Sequence, residues 1–273
     1  MSSSDAQEGI TSQKANTCTI LNYWRVVGAS VCGTSHEKTG QSCQDAHYWK
    51  LLPNGVLVAA VADGAGSAIL GERGATVASQ AAVEILSSHL TAERLPESDE
   101  NWTALLIDAI KAAQKTIEAE AVTQEVSPRD LATTLILVVA CPDLISVAQV
   151  GDGAAVVSDC EDNLIALTIP QSGEYINETT FLTSQDAIEA AQINIQHGPM
   201  SHLAVFSDGL QMLSLKMPHG RPHTPFFSPL FRFVSNVTDQ TEAQEKLTGF
   251  LCSPKIRERA DDDLTLLLAA LVR

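Results

Sequence analysis

Positive charge is scarce in this chain. Lys and Arg total 17 against 33 Asp and Glu, so the 273 residues carry a formal net charge of −16. Nucleic acid and anionic membrane surfaces both call for a basic footprint, and this balance excludes them as main partners. Paired Cys spacing is also missing. The six cysteines (Cys18, Cys32, Cys43, Cys141, Cys160, Cys252) form no CxxC pair and no dense framework, so they read as reduced residues. No apolar run is long enough to span a bilayer. Residues 1–16 are polar and lack the apolar core of a secretory signal. The loop spacing of an EF-hand is absent as well, which disfavours an acidic calcium-binding protein. A cytoplasmic, monomeric protein is the expectation, with residues 1–22 as a flexible tail. No internal repeat or linker divides the remainder, so residues 23–273 are expected to form one domain.

What is present centres on residues 55–90. The apolar run 56–62 is short, β-branched and bounded by turn residues, as in a strand buried on both faces. It ends in Asp63-Gly64, followed by Ala65-Gly66-Ser67. A carboxylate at the tip of a buried strand is costly unless its charge is compensated. A metal ion is one compensator, and Gly64 lets backbone carbonyls come close to such an ion. An isolated Asp-Gly is ordinary turn chemistry. Upstream, residues 46–52 read as a second strand, and Asn54-Gly55 between the two is a hairpin signal. Antiparallel pairing then brings Asp45 and Asp63 to the same end of one sheet.

The rest of the chain alternates in blocks. Residues 24–32 read as a strand and 33–45 as a loop. Helical spacing covers 70–90 and 101–121, the latter with Trp102, Leu106, Ala109, Ala113 and Ile117 on one face. Strands are expected at 135–140, 146–150, 154–157, 164–167, 203–206 and 266–271, and a helix at 241–251. Residues 168–185 are irregular and read as a loop or flap that shapes access for a large substrate, with Glu174 and Glu178 as acidic filters. Residues 216–225, rich in Pro, Gly and His, read as another loop.

Four acidic positions fall at strand ends: Asp45, Asp63, Asp208 and the run Asp261-Asp262-Asp263. Asp152 lies in a Gly-Asp-Gly turn. Carboxylates sharing a site repel one another unless cations bridge them, and all-oxygen ligand sets suit Mg²⁺ or Mn²⁺. From the residues alone, the hairpin unites only Asp45 and Asp63.

Six short motifs occur in order: Cys43-Gln44-Asp45-Ala46, Val61-Ala62-Asp63-Gly64, Ala132-Thr133-Thr134, Val150-Gly151-Asp152-Gly153, Phe206-Ser207-Asp208-Gly209 and Asp262-Asp263-Leu264-Thr265. Together they resemble the metal-dependent serine/threonine phosphatases of the protein phosphatase 2C class, and within it a bacterial subgroup. The resemblance implies an α+β fold of two packed antiparallel β-sheets flanked by helices. It implies a hydrolase that removes phosphate from phosphoserine or phosphothreonine of phosphorylated proteins, using Mg²⁺ or Mn²⁺. Under it, Asp45 binds a first metal, Asp63 bridges two, and the Gly64 carbonyl binds the second. Asp208 and Asp262 complete the first metal's shell, and Asp152 marks a weaker third ion.

One departure stands out. The family usually places an Arg shortly before the first motif to grip the substrate phosphate, and Gly40, Gln41, Ser42 and Cys43 supply none. His36 and Lys38 are the nearest cationic residues, and His36 is the candidate phosphate contact. The missing Arg keeps a second reading open, a catalytically weak adaptor that binds phosphoproteins.

Overall fold

The computed structural model describes residues 23–90, 95–170 and 179–272. The expected tail, residues 1–22, and the middle of the expected flap, with Glu174, Ile176, Asn177 and Glu178, lie outside the described residues. In chain order the elements are β1 (Tyr23–Val31), α1 (Thr34–Thr39), β2 (Asp45–Leu51), β3 (Leu57–Asp63), α2 (Gly71–His89), α3 (Asp99–Thr123), β4 (Leu135–Cys141), β5 (Leu144–Val150), β6 (Ala154–Asp159), β7 (Leu164–Ala166), β8 (Gln192–His197), β9 (Met200–Phe206), α4 (Gln211–Ser214), β10 (Leu215–Lys216), β11 (Arg221–Pro222), α5 (Thr224–Ser235), α6 (Gln240–Leu251), α7 (Pro254–Arg257) and β12 (Leu264–Val272).

Two five-stranded sheets form the centre. Their orders are β1-β12-β9-β6-β7 and β2-β3-β4-β5-β8, and every pairing in them is antiparallel. The two-residue alternation of each strand explains the layers. On β3, Val58, Ala60 and Ala62 face a core shared with α2 and α3, whereas Leu57, Ala59 and Val61 face the other sheet. On β12, Leu266, Leu268 and Ala270 pack under α5 and α6, and Leu267 and Ala269 point into the space between the sheets. Helices therefore cover both outer faces, and the unbroken apolar runs of these strands follow from burial on both sides. Truncating a large side chain such as Leu57 or Leu137, both fully buried, costs about 2–5 kcal/mol at such positions.

The β2–β3 hairpin forms as its turn predicts. Gly55 takes a positive φ of 79°, and the ladder runs from Leu51↔Leu57 to Asp45↔Asp63. In α3, the Ser98 side chain accepts from Asn101 N and starts the helix two residues before the expected boundary.

Three segments differ from expectation. The loop 33–45 contains α1. Residues 192–197 form β8, an edge strand whose half-exposed Gln-Ile-Asn-Ile-Gln-His pattern is weak in apolar content. The loop expected at 216–225 gives way to α5 at Thr224. Pro225 occupies its first turn, where the missing N–H is tolerated, and Pro229 lies inside it. Two prolines in twelve residues hid a helix whose buried face, Phe227, Leu230, Phe231 and Val234, is otherwise regular.

Candidate metal and phosphate site

One end of the sandwich gathers the sequence-predicted residues from both sheets. Asp45 starts β2 and Asp63 ends β3. Asp152 lies in the β5–β6 turn, Asp208 follows β9, and Asp262 precedes β12. A cavity of about 350 Å³ is lined by Asp63, Gly64, Asp152, Asp208 and Asp262, together with His36, Thr134 and Thr179. Asp45 does not line it. It lies behind, 6% exposed, as the direct cross-strand partner of Asp63.

Short local devices hold each group. Thr134 Oγ1 accepts from Asp63 N at 3.0 Å, and Thr133 Oγ1 donates to Asp63 O at 2.9 Å, so the Ala-Thr-Thr motif fixes the strand end that carries Asp63. Ser207 Oγ donates to Asp45 Oδ2 at 2.7 Å and accepts from Thr265 N at 3.0 Å. That serine ties the two sheets together beneath the cavity. The Gly-Asp-Gly turn depends on Gly151, whose φ is 112°, and on the buried Gln149, which donates to Gly151 O and Gly153 O. Gly64 is needed for a different reason: a Cβ there would collide with the backbone carbonyl of Gly71. With its amide nitrogen turned toward them, Gln44 donates to Gly64 O and Ala65 O, each at 3.2 Å.

The electrostatics are unfavourable for four carboxyls at once. Burial raises the pKa of Asp45, Asp63, Asp152 and Asp208, and their mutual charges push the same way. The neighbouring charges of Asp45 and Asp208 add to the burial of Asp63, and those of Asp152 and Asp262 add to the burial of Asp208. Asp45 Oδ1 and Asp208 Oδ1 are buried without any hydrogen-bond partner. Among the described residues no three His, Cys, Asp or Glu side chains already converge as a metal cage. A divalent cation would offset these buried charges and use the orphaned oxygens, so the donor set fits a hard, oxygen-seeking ion.

The match to known families settles the fold's kinship. The sequence model described as Protein phosphatase 2C matches residues 32–252. The chain belongs to the protein phosphatase 2C family. Serine/threonine-protein phosphatase 3 of Escherichia coli (strain K12) is 36% identical over 252 residues, covering 90% of this chain and 98% of that one. Among solved structures, a bacterial serine phosphatase superposes with a TM-score of 0.63 at 17% identity, covering 91% of this chain and 98% of the other. Stp1 of Staphylococcus aureus gives 0.60 at 18% identity, covering 91% and 95%. The catalytic domain of PstP, solved in complex with 2 manganese ions, gives 0.58 at 17% identity, covering 92% and 100%. The α+β sandwich expected from the motifs is the observed fold.

Within this phosphatase 2C chain, two residues gain roles that the sequence did not reveal. Asp263 is 2% exposed and clamps Gly33, His36 and Gln44. Its Oδ1 accepts from Gly33 N at 2.6 Å, and its Oδ2 accepts from Gln44 N at 2.5 Å and meets His36 Nδ1 at 2.9 Å. The side chain of the neighbouring Asp262 instead reaches the cavity, and that of Asp261 is exposed. An acid where the family places Asn, in a chain that also lacks the family's Arg, was the available signal. Thr179 is the second. It donates from Oγ1 to Asp152 Oδ2 at 2.5 Å, so the described end of the expected flap touches the carboxylate cluster directly. Beyond it, Leu182 is fully buried and its N–H donates to Thr133 O at 2.7 Å. Cys43 is no nucleophile. Burial first, then the charges of Asp45 and Asp263, push its thiol well above the ordinary range.

Proposed function

We propose that this protein hydrolyses phosphoserine and phosphothreonine on proteins by direct attack of water on phosphorus, without a phosphoenzyme. The observation that carries the reading is the convergence of Asp63, Asp152, Asp208 and Asp262 on one cavity, with Asp45 buried behind them. Two Mg²⁺ or Mn²⁺ ions, with a weaker third at Asp152, would be held by these carboxylates and the Gly64 carbonyl, and would supply phosphate binding and an acidified water. The two manganese ions in the PstP structure support this count.

The chain's own residues do the positioning. Thr133 and Thr134 fix Asp63, and Ser207 fixes Asp45. Asp263 accepts from His36 Nδ1, and the ring's other nitrogen, Nε2, donates to a phosphate oxygen when the ring is imidazolium; His36 lines the cavity. His36 thus takes the place of the missing Arg as a donor to a phosphate oxygen. Carboxylates from both sheets meet in one cavity, which supports reading residues 23–273 as one catalytic domain. Cys32, Cys43, Cys141 and Cys252 are free thiols, in keeping with a reducing, cytoplasmic setting. Among the described residues no helix is long and apolar enough to cross a membrane.

Phosphate release from a panel of phosphoserine and phosphothreonine peptides tests this, with Mn²⁺ and with EDTA. Release in Mn²⁺ that EDTA abolishes is expected. Peptide binding without release under metal saturation would replace the enzyme by an adaptor.

A further inference from the structure

A second cavity, of about 460 Å³, lies between α5, α6 and α7 on the outer side of the first sheet. It shares no lining residue with the carboxylate cavity. Its walls include Phe226, Phe233 and Phe250, none of them fully buried, with the first and last rings 6.3 Å apart. Its charged lining is of one sign: Lys246, Lys255 and Arg259, with no carboxylate. In a chain with nearly two acids per base, such a rim runs against the overall charge. Lys246 is paired with Glu242 at 2.7 Å. Among the described residues neither Lys255 nor Arg259 has a carboxylate partner.

We propose that this cavity binds a small amphipathic carboxylate, a ligand with an apolar or aromatic body and one anionic head. The volume is that of a small-molecule site. Filling it removes phenylalanine faces from water, which favours an apolar body. Arg259 and Lys255 at the rim accept an anionic head, and the guanidinium matches a carboxylate through two parallel N–H donors. The walls are helices whose backbone groups are used internally, so no sheet edge is offered to an extended peptide. Charge complementarity excludes a cationic amphiphile for the same reason that it favours an anionic one.

The position gives the site reach. On α7, Lys255 borders the cavity, while Arg257 grips Glu37 of α1 at 3.0 and 2.7 Å and donates to Cys32 O at 3.1 Å. Glu37 is adjacent to His36. A bound ligand therefore rests on the short helix that braces the His36 segment.

The test is a binding measurement, independent of phosphatase activity. Decanoate, below its micellar concentration, is titrated calorimetrically into the full chain. Decyltrimethylammonium serves as the cationic control. Lys255→Glu combined with Arg259→Glu changes two exposed side chains, and a thermal melt checks its fold. Saturable one-site binding of decanoate is expected, weakened tenfold or more in the double variant and in the cationic control. No saturable binding, equal binding of the cation, or a double variant that binds as wild type overturns the proposal. So does a cavity that takes only a helical peptide with an apolar anchor and acidic flanks.

Discussion

The two ends of the paired sheets treat the same residue type in opposite ways. At the far end, Asp159 closes β6 in an exposed turn and accepts from Asn163 Nδ2, Asn163 N and Glu161 N at 2.9, 2.9 and 2.8 Å. Those donors, Asn163 foremost, hold its carboxyl below the usual range. At the near end, Asp45 and Asp63 are also strand-end aspartates, yet burial and mutual repulsion raise theirs. A strand-tip Asp is thus turn chemistry when water and N–H groups surround it. Buried with others of its charge and left with unpartnered oxygens, it is suited to hold a cation.

The sharpest way to break this contrast is to neutralise one aspartate at each end. Asp63→Asn is expected to lower aryl phosphate turnover in Mn²⁺ by ~10³-fold or more, since a lost metal bridge is worth several kcal/mol of transition-state stabilisation. Asp159→Asn should leave turnover unchanged. The raised Asp63 carboxyl contributes stability at low pH that is lost as pH rises through its folded-state value. In EDTA at neutral pH, Asp63→Asn should therefore melt above wild type. Wild-type turnover in Asp63→Asn would remove that residue from the mechanism.

A smaller effect is expected from the His36–Asp263 pair. Asp263→Asn keeps the shape but removes the charge that orients the imidazole, and losses of about 10–100-fold are typical for such supporting partners. His36→Gln should lose a similar factor, and the double variant no more than the larger single loss, because the two act as one unit. The loss should fall mainly on KM for the phosphate substrate if the ring contacts phosphate. Additive losses would show that Asp263 works only by clamping Gly33 and Gln44.

Below that lies a change read as stability in the metal-free protein. Gly64→Ala forces a methyl against the Gly71 backbone, and overpacking of this kind costs about 1–3 kcal/mol. Urea unfolding in EDTA reads it directly, and an unchanged midpoint would mean that the Asp63–Gly64 turn can open without penalty.

The same contrast explains what the sequence could reveal. Asp45 and Asp63 were legible as neighbours because Asn54-Gly55 fixes a local register. Asp208 and Asp262 join them through pairings of β9 with β12 that no local rule specifies, and only the ordered motifs brought them in. The role of Asp263 was hidden because alternation, the signal that reads strands, says nothing about a residue just before β12. There the backbone turns one carboxylate inward to Gly33 and its neighbour out to the cavity. Helices α2 and α3 were visible by their periodic alanines, and α5 was masked by Pro225 and Pro229. The apolar cavity beside α5 was hidden with it.

The smallest expected effect is at the far end, where His202 lies on β9. Its ring stacks on Phe231 at 4.8 Å, its Nε2 meets Ser235 Oγ at 2.9 Å, and its Nδ1 is buried without a partner. Burial holds its pKa below the ordinary value, with the Asp162 charge opposing. Arg25 lies two strands across in the same register row, through Ala270. The sign follows from linkage. The unfolded chain binds the proton more readily than the folded one, so stability is full above the unfolded value of about 6.5 and is lost as pH falls toward the folded one. His202→Phe keeps an aromatic ring on Phe231 and cannot titrate. Urea unfolding in EDTA between pH 7.5 and 5 should then show the variant gaining stability relative to wild type as pH falls, against the common background of the raised carboxyls. Identical slopes would mean that His202 protonates without leaving its stack, and the far end would carry no proton-linked cost at all.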